Sequence, residues 1–185
     1  PSGFQPGAYV AVVGAGPIGL TAIGLAVAAG AGQVVAFETS TERRQLASQL
    51  GATSVWDPAQ SSPAEIMAEL SKGEGFDLHV EAAGAPQITV PQMAQALAVD
   101  ARVVIIGRAA QVAPMYLETF QVRRAQLYGS QGHAGHGNFP GVIRLVASGR
   151  LDLSAMISVR YPLEEAVAAV ERGTARTDGK ILITP

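Results

Sequence analysis

Tyr9-Val10-Ala11-Val12-Val13-Gly14-Ala15-Gly16-Pro17-Ile18-Gly19-Leu20 is an apolar run that breaks on glycine and resumes as an Ala- and Leu-rich stretch through Ala29. The valine-rich segment suits a strand buried on both faces. The stretch from Ile18 to Ala29 has the length and composition of a buried helix and falls short of the roughly 20 apolar residues that span a bilayer. Glycines stand between them at 14, 16 and 19. Gly14 permits a tight turn at the strand end, Gly16 lets a pyrophosphate approach the backbone, and Gly19 lets helix and strand pack closely. Exposed N–H groups of the first helical turn, together with the helix dipole, favour a bound phosphate. Pro17 suits that turn because its missing N–H is not needed there.

Working outward, Gln33 to Thr39 is a second strand, and Glu38 near its end lies 19 residues past Gly19. An acidic residue about 20 positions beyond the glycines is where a dinucleotide-binding βαβ unit of the Rossmann type places the acceptor for the adenosine ribose hydroxyls. A carboxylate there repels a 2′-phosphate, so NAD is expected ahead of NADP. Arg43 and Arg44 lie just beyond and offer the opposing option. The hexapeptide alone is weak, since glycines also serve plain strand-to-helix turns and an acid can be a solvated strand end. Strand, glycines, helix and acid in this order make the stronger case. A methyl-donor-binding domain or an NAD-sensing regulatory domain shares this geometry, so the loop by itself leaves redox chemistry open.

Short β-branched runs alternate with longer Ala-rich runs about five times along the chain, as in stacked βαβ units. A helix is expected from Thr41 to Leu50, capped by Ser40 or Thr41 and stopped by Gly51, before a short strand at Ser54 to Trp56. Ser62-Pro63-Ala64-Glu65 starts a third helix that ends near Gly73, with Glu65 completing a capping box. Strands at Phe76 to Val80 and Arg102 to Ile106 flank a helix from Gln87 to Ala98. Beyond Gly107 come a short strand near Met115, a helical turn at Leu117 to Arg124, a strand near Leu127 and a helix from Phe139 to Ser148. A strand at Ile157 to Arg160, a helix from Leu163 to Arg172 and a strand at Lys180 to Thr184 close the sequence. The fold class is α/β: a doubly wound, mostly parallel six-stranded sheet with helices on both faces. Residues 1–185 form one domain, with 1–7 a connecting segment and a chain expected to be a fragment.

At 185 residues and 48% hydrophobic, the chain can bury a proper core. A formal net charge of -2 with thinly spread Lys and Arg offers no basic stripe, so neither nucleic acid nor membrane is an expected partner. Zero cysteines exclude disulfides, thiolate catalysis and any Cys-ligated zinc within the chain; a cytoplasmic setting fits. His133 and His136 stand three apart in a Gly-rich loop but lack a third ligand of suitable spacing, so no metal is expected and the loop is read as bordering a cleft. His79, in a strand, is read as structural. Arg123 and Arg124 close a helical turn, where cations suit the negative end.

Beside the glycine loop and Glu38 stand Arg43, Leu46-Ala47, Leu50-Gly51-Ala52, Phe76-Asp77, Glu81-Ala82-Ala83-Gly84, Val103 to Gly107, Tyr128-Gly129-Ser130, Leu163-Glu164-Glu165-Ala166 and Gly179-Lys180-Ile181-Leu182. With these the chain, from Gly3 onward, resembles the cofactor domain of the zinc-type medium-chain alcohol and polyol dehydrogenases, the sorbitol and threonine dehydrogenase branch in particular. The resemblance implies that Gly16, Pro17 and Ile18, with Gly14 and Gly19, line a pyrophosphate. It puts Glu38 on the adenosine ribose, with Thr39 in the same site, and Arg43 at the adenine edge. Ala82, Ala83, Gly84, Ile106, Gly107, Arg108 and Tyr128 would flank the path to the nicotinamide, and Lys180 would approach a phosphate. The family usually carries Asp where Glu38 stands.

The same resemblance places the catalytic zinc ligands, a Cys, a His and a further Cys or Glu, in a separate N-terminal domain outside this chain, so no catalytic or metal residue is expected here. It implies a small-molecule alcohol substrate, reached through that domain, and a homodimer or homotetramer in which a strand near Met115 to Leu117 pairs across a two-fold axis. The expected function is the NAD(H)-binding half of a zinc-dependent oxidoreductase acting on a secondary alcohol or polyol. The alternative is a non-catalytic NAD(H)-sensing module, against which the closing segment Leu163 to Thr184 argues, since it resembles the return to a catalytic domain.

Overall fold

Valines at 10 and 12 face one way and Ala11 and Val13 the other, as the two-residue period of a strand requires, and both sets are buried. A computed structural model describes residues 4–132 and 138–185. Strand β1 (Tyr9–Val13) leads to α1 (Pro17–Ala28), β2 (Gln33–Phe37), α2 (Thr41–Gln49), β3 (Ser54–Trp56) and α3 (Pro63–Leu70). The second half repeats the scheme with β4 (Phe76–Glu81), α4 (Pro86–Ala94), β5 (Leu97–Ile105), α5 (Leu117–Arg123) and β6 (Gln126–Gly129). These six strands form one sheet in the order β3-β2-β1-β4-β5-β6, every neighbouring pair parallel. The expected doubly wound sheet is therefore present, fully parallel.

Two cores sandwich the sheet. Val10, Val12, Val34 and Ala36 pack with Leu20 and Ile23 of α1 and Ala47 of α2 on one face. Ala11, Val13, Val35 and Phe37 pack with Met67 of α3 and Met93 of α4 on the other. Each fully buried Leu, Ile or Phe among them contributes about 1.5–3 kcal/mol by leaving water. Ser40 Oγ accepts from Arg43 N and caps α2, Ser62 Oγ accepts from Glu65 N and caps α3, and Gly51 takes φ +95° after α2.

Register sets where function can lie. Val13 pairs with Phe37 and with Glu81, Glu81 with Ile105, and Ile105 with Gly129. The strand ends are thus level, and residues that follow them share one edge of the sheet. Strand order reverses between β1 and β4, the first half of the chain building the sheet outward to β3 and the second outward to β6, which opens a crevice at that edge.

After α6 (Asn138–Ala147), β7 (Ile157–Pro162), α7 (Ala166–Gly173) and β8 (Lys180–Thr184) form a separate layer in which β7 pairs with β8 in parallel. It leans on the first core through Met156 and Leu153. Gly24 of α1 gives it room: a Cβ there would come within 3.2 Å of both Leu151 and Leu153 side chains.

Several expected boundaries move. No strand forms near Met115; the segment is irregular up to α5, because Pro114 cannot donate to a ladder. The helix expected to reach Ala98 stops at Ala94, since Leu97 pairs with Phe76 and so opens β5. Strand β2 ends at Phe37 rather than Thr39, freeing residues 38 and 39 for the edge. Leu163 to Glu165 is a 3-10 turn preceding α7. His133 and His136 lie outside the described residues.

His79 of β4 is fully buried, and its Nε2–H donates to the Phe76 carbonyl at 3.2 Å while Nδ1 has no partner. Burial disfavours the imidazolium and pushes its pKa down to about 4. The residue is structural, as its place in a strand suggests.

Candidate nucleotide site

The chain turns as soon as β1 ends. Gly14 holds φ +90°, which only glycine adopts without strain, and its N–H donates to Phe37 O at 2.8 Å. A Cβ on Gly14 would stand 2.6 Å from Ala83 N, so the loops after β1 and β4 meet backbone to backbone. A Cβ on Gly19 would stand 1.8 Å from Gly14 O. Close packing thus demands glycine at 14 and 19. Gly16 differs, because a Cβ there would meet nothing nearer than Arg43 Nη1 at 3.8 Å. What glycine protects at 16 is open space over the backbone. Gly16 is also the N-cap of α1, and no side chain caps that end, which leaves first-turn N–H groups to an incoming anion.

Glu38 lies just past β2 and is 9% exposed. Its Oε2 accepts from Ala15 N at 2.7 Å, and its Oε1 accepts from Ser40 N at 2.9 Å and from Thr39 Oγ1 at 3.2 Å. One carboxylate therefore ties the end of β2 to the glycine loop, and its remaining lone pairs can accept from vicinal hydroxyls. Thr39 serves by orienting it.

The two arginines part company. Arg44 Nη1 donates to the carbonyls of Glu38 and Thr39 at 2.6 and 2.8 Å, its Nη2 donates to Thr41 Oγ1, and it pairs with Asp57 at 3.4 Å. These partners hold Arg44 beneath the strand end. Arg43 lies above Gly16 and donates through Nε to Asp178 O at 3.1 Å, so it joins the glycine loop to the turn before β8. Arg172 donates to both Asp178 carboxylate oxygens at 2.8 and 2.9 Å and holds that carboxyl below the usual carboxylate range.

Beyond Ile18 a cavity of about 600 Å³ opens, walled by Ala82, Ala83 and Gly84 after β4, Ile106, Gly107 and Arg108 after β5, and residues 130–132 after β6. The six residues named after β4 and β5 thus come together, as the sequence reading grouped them, and Ile18, expected at the pyrophosphate, joins them at the cavity mouth. Tyr128 stands apart, its hydroxyl turned back to Gln126 Oε1. Lys180 lines a different, apolar groove with Pro17, Ile18 and Leu182.

Two participants escaped the sequence reading. Glu81 was quoted only as part of a motif, although an acid closing an otherwise apolar strand is a visible signal. Asp178 gave none, because its partner Arg43 is 135 residues away.

Among the described residues no three His, Cys, Asp or Glu side chains gather to hold a metal, and the chain has no cysteine. These residues do not fit a zinc centre. They do fit a dinucleotide, with an uncapped helix end, a clear backbone at Gly16 and an acid at the second strand end.

The family described as "Zinc-binding dehydrogenase" matches residues 17–148. Scyllo-inosose 3-dehydrogenase of Thermotoga maritima is 42% identical over 92% of this chain and 44% of its own length. L-threonine 3-dehydrogenase of Bacillus subtilis is 33% identical over 98% of this chain and 52% of its own. A solved structure from Thermotoga maritima superposes with TM-score 0.93 at 41% identity, covering 98% of this chain and 47% of that one. The 2R,3R-butanediol dehydrogenase of Bacillus subtilis superposes with TM-score 0.88 at 27% identity, over 99% and 52%. The chain spans about half the length of the curated relatives it matches. By its family match, its relatives and its parallel sheet, the chain belongs to the zinc-binding dehydrogenases, as their cofactor-binding half.

Proposed function

We propose that this chain holds NAD(H) along the strand-end crevice and presents the nicotinamide for hydride exchange with a secondary alcohol or polyol. The observation that carries the reading is Glu38: a nearly buried carboxylate, 2.7 Å from the glycine-loop N–H, beside a backbone kept clear at Gly16. Its negative charge favours NAD over NADP, and both nearby cations have partners of their own: Arg44 is engaged by Glu38 O, Thr39 O and Asp57, and Arg43 by Asp178 O. When bound, the nicotinamide supplies the hydride chemistry; the chain's own groups bind and orient it.

Zinc and the groups that handle the alcohol would belong to the part of the relatives that this chain does not span. The relatives' names, an inosose, a threonine and a butanediol dehydrogenase, support a hydroxyl-bearing small molecule as substrate. A cytoplasmic homodimer or homotetramer completes the proposal, supported by exposed Leu127 and Tyr128 on the outer strand β6. Among the described residues no helix is long and apolar enough to cross a membrane.

Calorimetric titration of the chain tests this. NADH binds more tightly than NADPH, and Glu38→Ala weakens NADH about tenfold, the size of a lost hydrogen bond to a charged group, while narrowing the gap to NADPH. A folded chain that binds neither nucleotide overturns the proposal.

A further inference from the structure

Glu81, the last residue of β4, has no exposed surface, and among the described residues no cation pairs with it. An acid in the middle of a parallel sheet is costly to bury and calls for a reason. Its hydrogen bonds supply one. Oε1 accepts from Ala85 N at 3.2 Å and from Thr89 Oγ1 at 3.3 Å, which pins the bend 82–85 and the first turn of α4. The Glu81 carbonyl accepts from both Ile106 N and Gly107 N at 2.9 Å, which pins the turn after β5. Oε2 has no partner and lies against Gly107, where a Cβ would come within 2.5 Å of it. The same Cβ would stand 2.3 Å from Gly84 N. The two loops are therefore pressed together over one carboxylate.

Those loops are two walls of the 600 Å³ cavity. In a doubly wound sheet built from two mononucleotide-binding halves, the half with β1, β2 and β3, which carries Glu38, takes the adenosine and the half with β4, β5 and β6 takes the second nucleoside. We infer that the Glu81 side chain is a positioning group that sets the nicotinamide-side wall of the site, holding the bend 82–85 by its hydrogen bonds and keeping it in register with residues 106–108 by packing against Gly107. The carboxylate does this by accepting from Ala85 N and Thr89 Oγ1 and by filling the space beside Gly107, without touching the ligand. This inference rests on the dinucleotide reading above.

ADP-ribose shares everything in NADH except the nicotinamide, so the pair of ligands separates the two halves of the site. Calorimetry with both is run on the parent chain and on Glu81→Ala, Glu81→Gln and Thr89→Val, with circular dichroism to follow the fold. Glu81→Ala raises the NADH Kd about tenfold, as loss of two buried hydrogen bonds does, and leaves ADP-ribose within about twofold. Glu81→Gln keeps an acceptor for Ala85 N–H and restores NADH to within about threefold of the parent. Thr89→Val removes one donor and weakens NADH about threefold, and it decides the matter if Glu81→Ala does not fold. A parallel loss of both ligands, or no loss of either, overturns the inference. A parent chain that binds neither defeats the dinucleotide reading and this inference with it.

Discussion

Replacing the three loop glycines by alanine one at a time separates what the fold needs from what the ligand needs. At Gly19 the new Cβ falls 1.8 Å from Gly14 O. Ordinary carbon–oxygen contact lies beyond about 3 Å, so α1 must withdraw by more than an ångström from a turn where Leu20 and Ile23 are fully buried. Overpacking against backbone costs about 2–4 kcal/mol, which for a chain of this size lowers Tm by roughly 5–15 °C. At Gly14 a backbone contact of 2.6 Å adds to φ +90°, with a similar penalty. At Gly16 the Cβ meets only Arg43 Nη1 at 3.8 Å, and φ of -67° suits any residue. Gly16→Ala therefore changes stability by less than about 1 kcal/mol. Its methyl group nevertheless fills the space a pyrophosphate needs, and NADH affinity falls at least about tenfold. Urea melts and NADH titration on the three variants check this. If Gly16→Ala unfolds as readily as Gly19→Ala, or binds NADH as well as the parent, the assignment of this space to a phosphate is wrong.

Further outcomes follow from the buried and paired groups. His79 is neutral in the fold with a pKa of about 4 and ordinary at about 6.5 when unfolded, so the unfolded chain binds more protons between these values. Stability is fully present above pH 6.5, falls as pH drops toward 4 by up to about 3 kcal/mol, and levels off below; urea melts across this window should show the slope shrinking in His79→Gln, and equal slopes in both proteins would refute it. Asp178, held below the usual carboxylate range by Arg172, contributes stability above the unfolded carboxylate range that is lost as pH falls through its folded value. Because the Arg172 side chain is 46% exposed, Asp178→Asn costs only about 0.5–1 kcal/mol at pH 7, read as a small drop in the urea midpoint. Gly107→Ala drives a Cβ into Gly84 N and Glu81, and thermal melting should record a loss of about 2–3 kcal/mol.

The sequence by itself determined the local chemistry. The continuous apolar run from Tyr9 to Val13 implied a strand buried on both faces, three glycines and Pro17 shaped the turn into α1, and Glu38 stood at the distance a second strand end requires. Each of these depends on residues near in the chain, where spacing translates directly into geometry. The strand expected near Met115 does not form, because a strand exists only where a neighbour offers a ladder, and Pro114 weakens the claim to one. The end of α4 likewise moved when Leu97 found Phe76 across the sheet. The resemblance placed Arg43 rather than Arg44 at the adenine edge, and tertiary structure supplies the reason, holding half-buried Arg44 on Glu38 O, Thr39 O and Asp57 and leading Arg43 to Asp178, 135 residues on. Tertiary structure alone gave Glu81 a role, because the two loops that this carboxylate joins are brought together only by the pairing of β4 with β5.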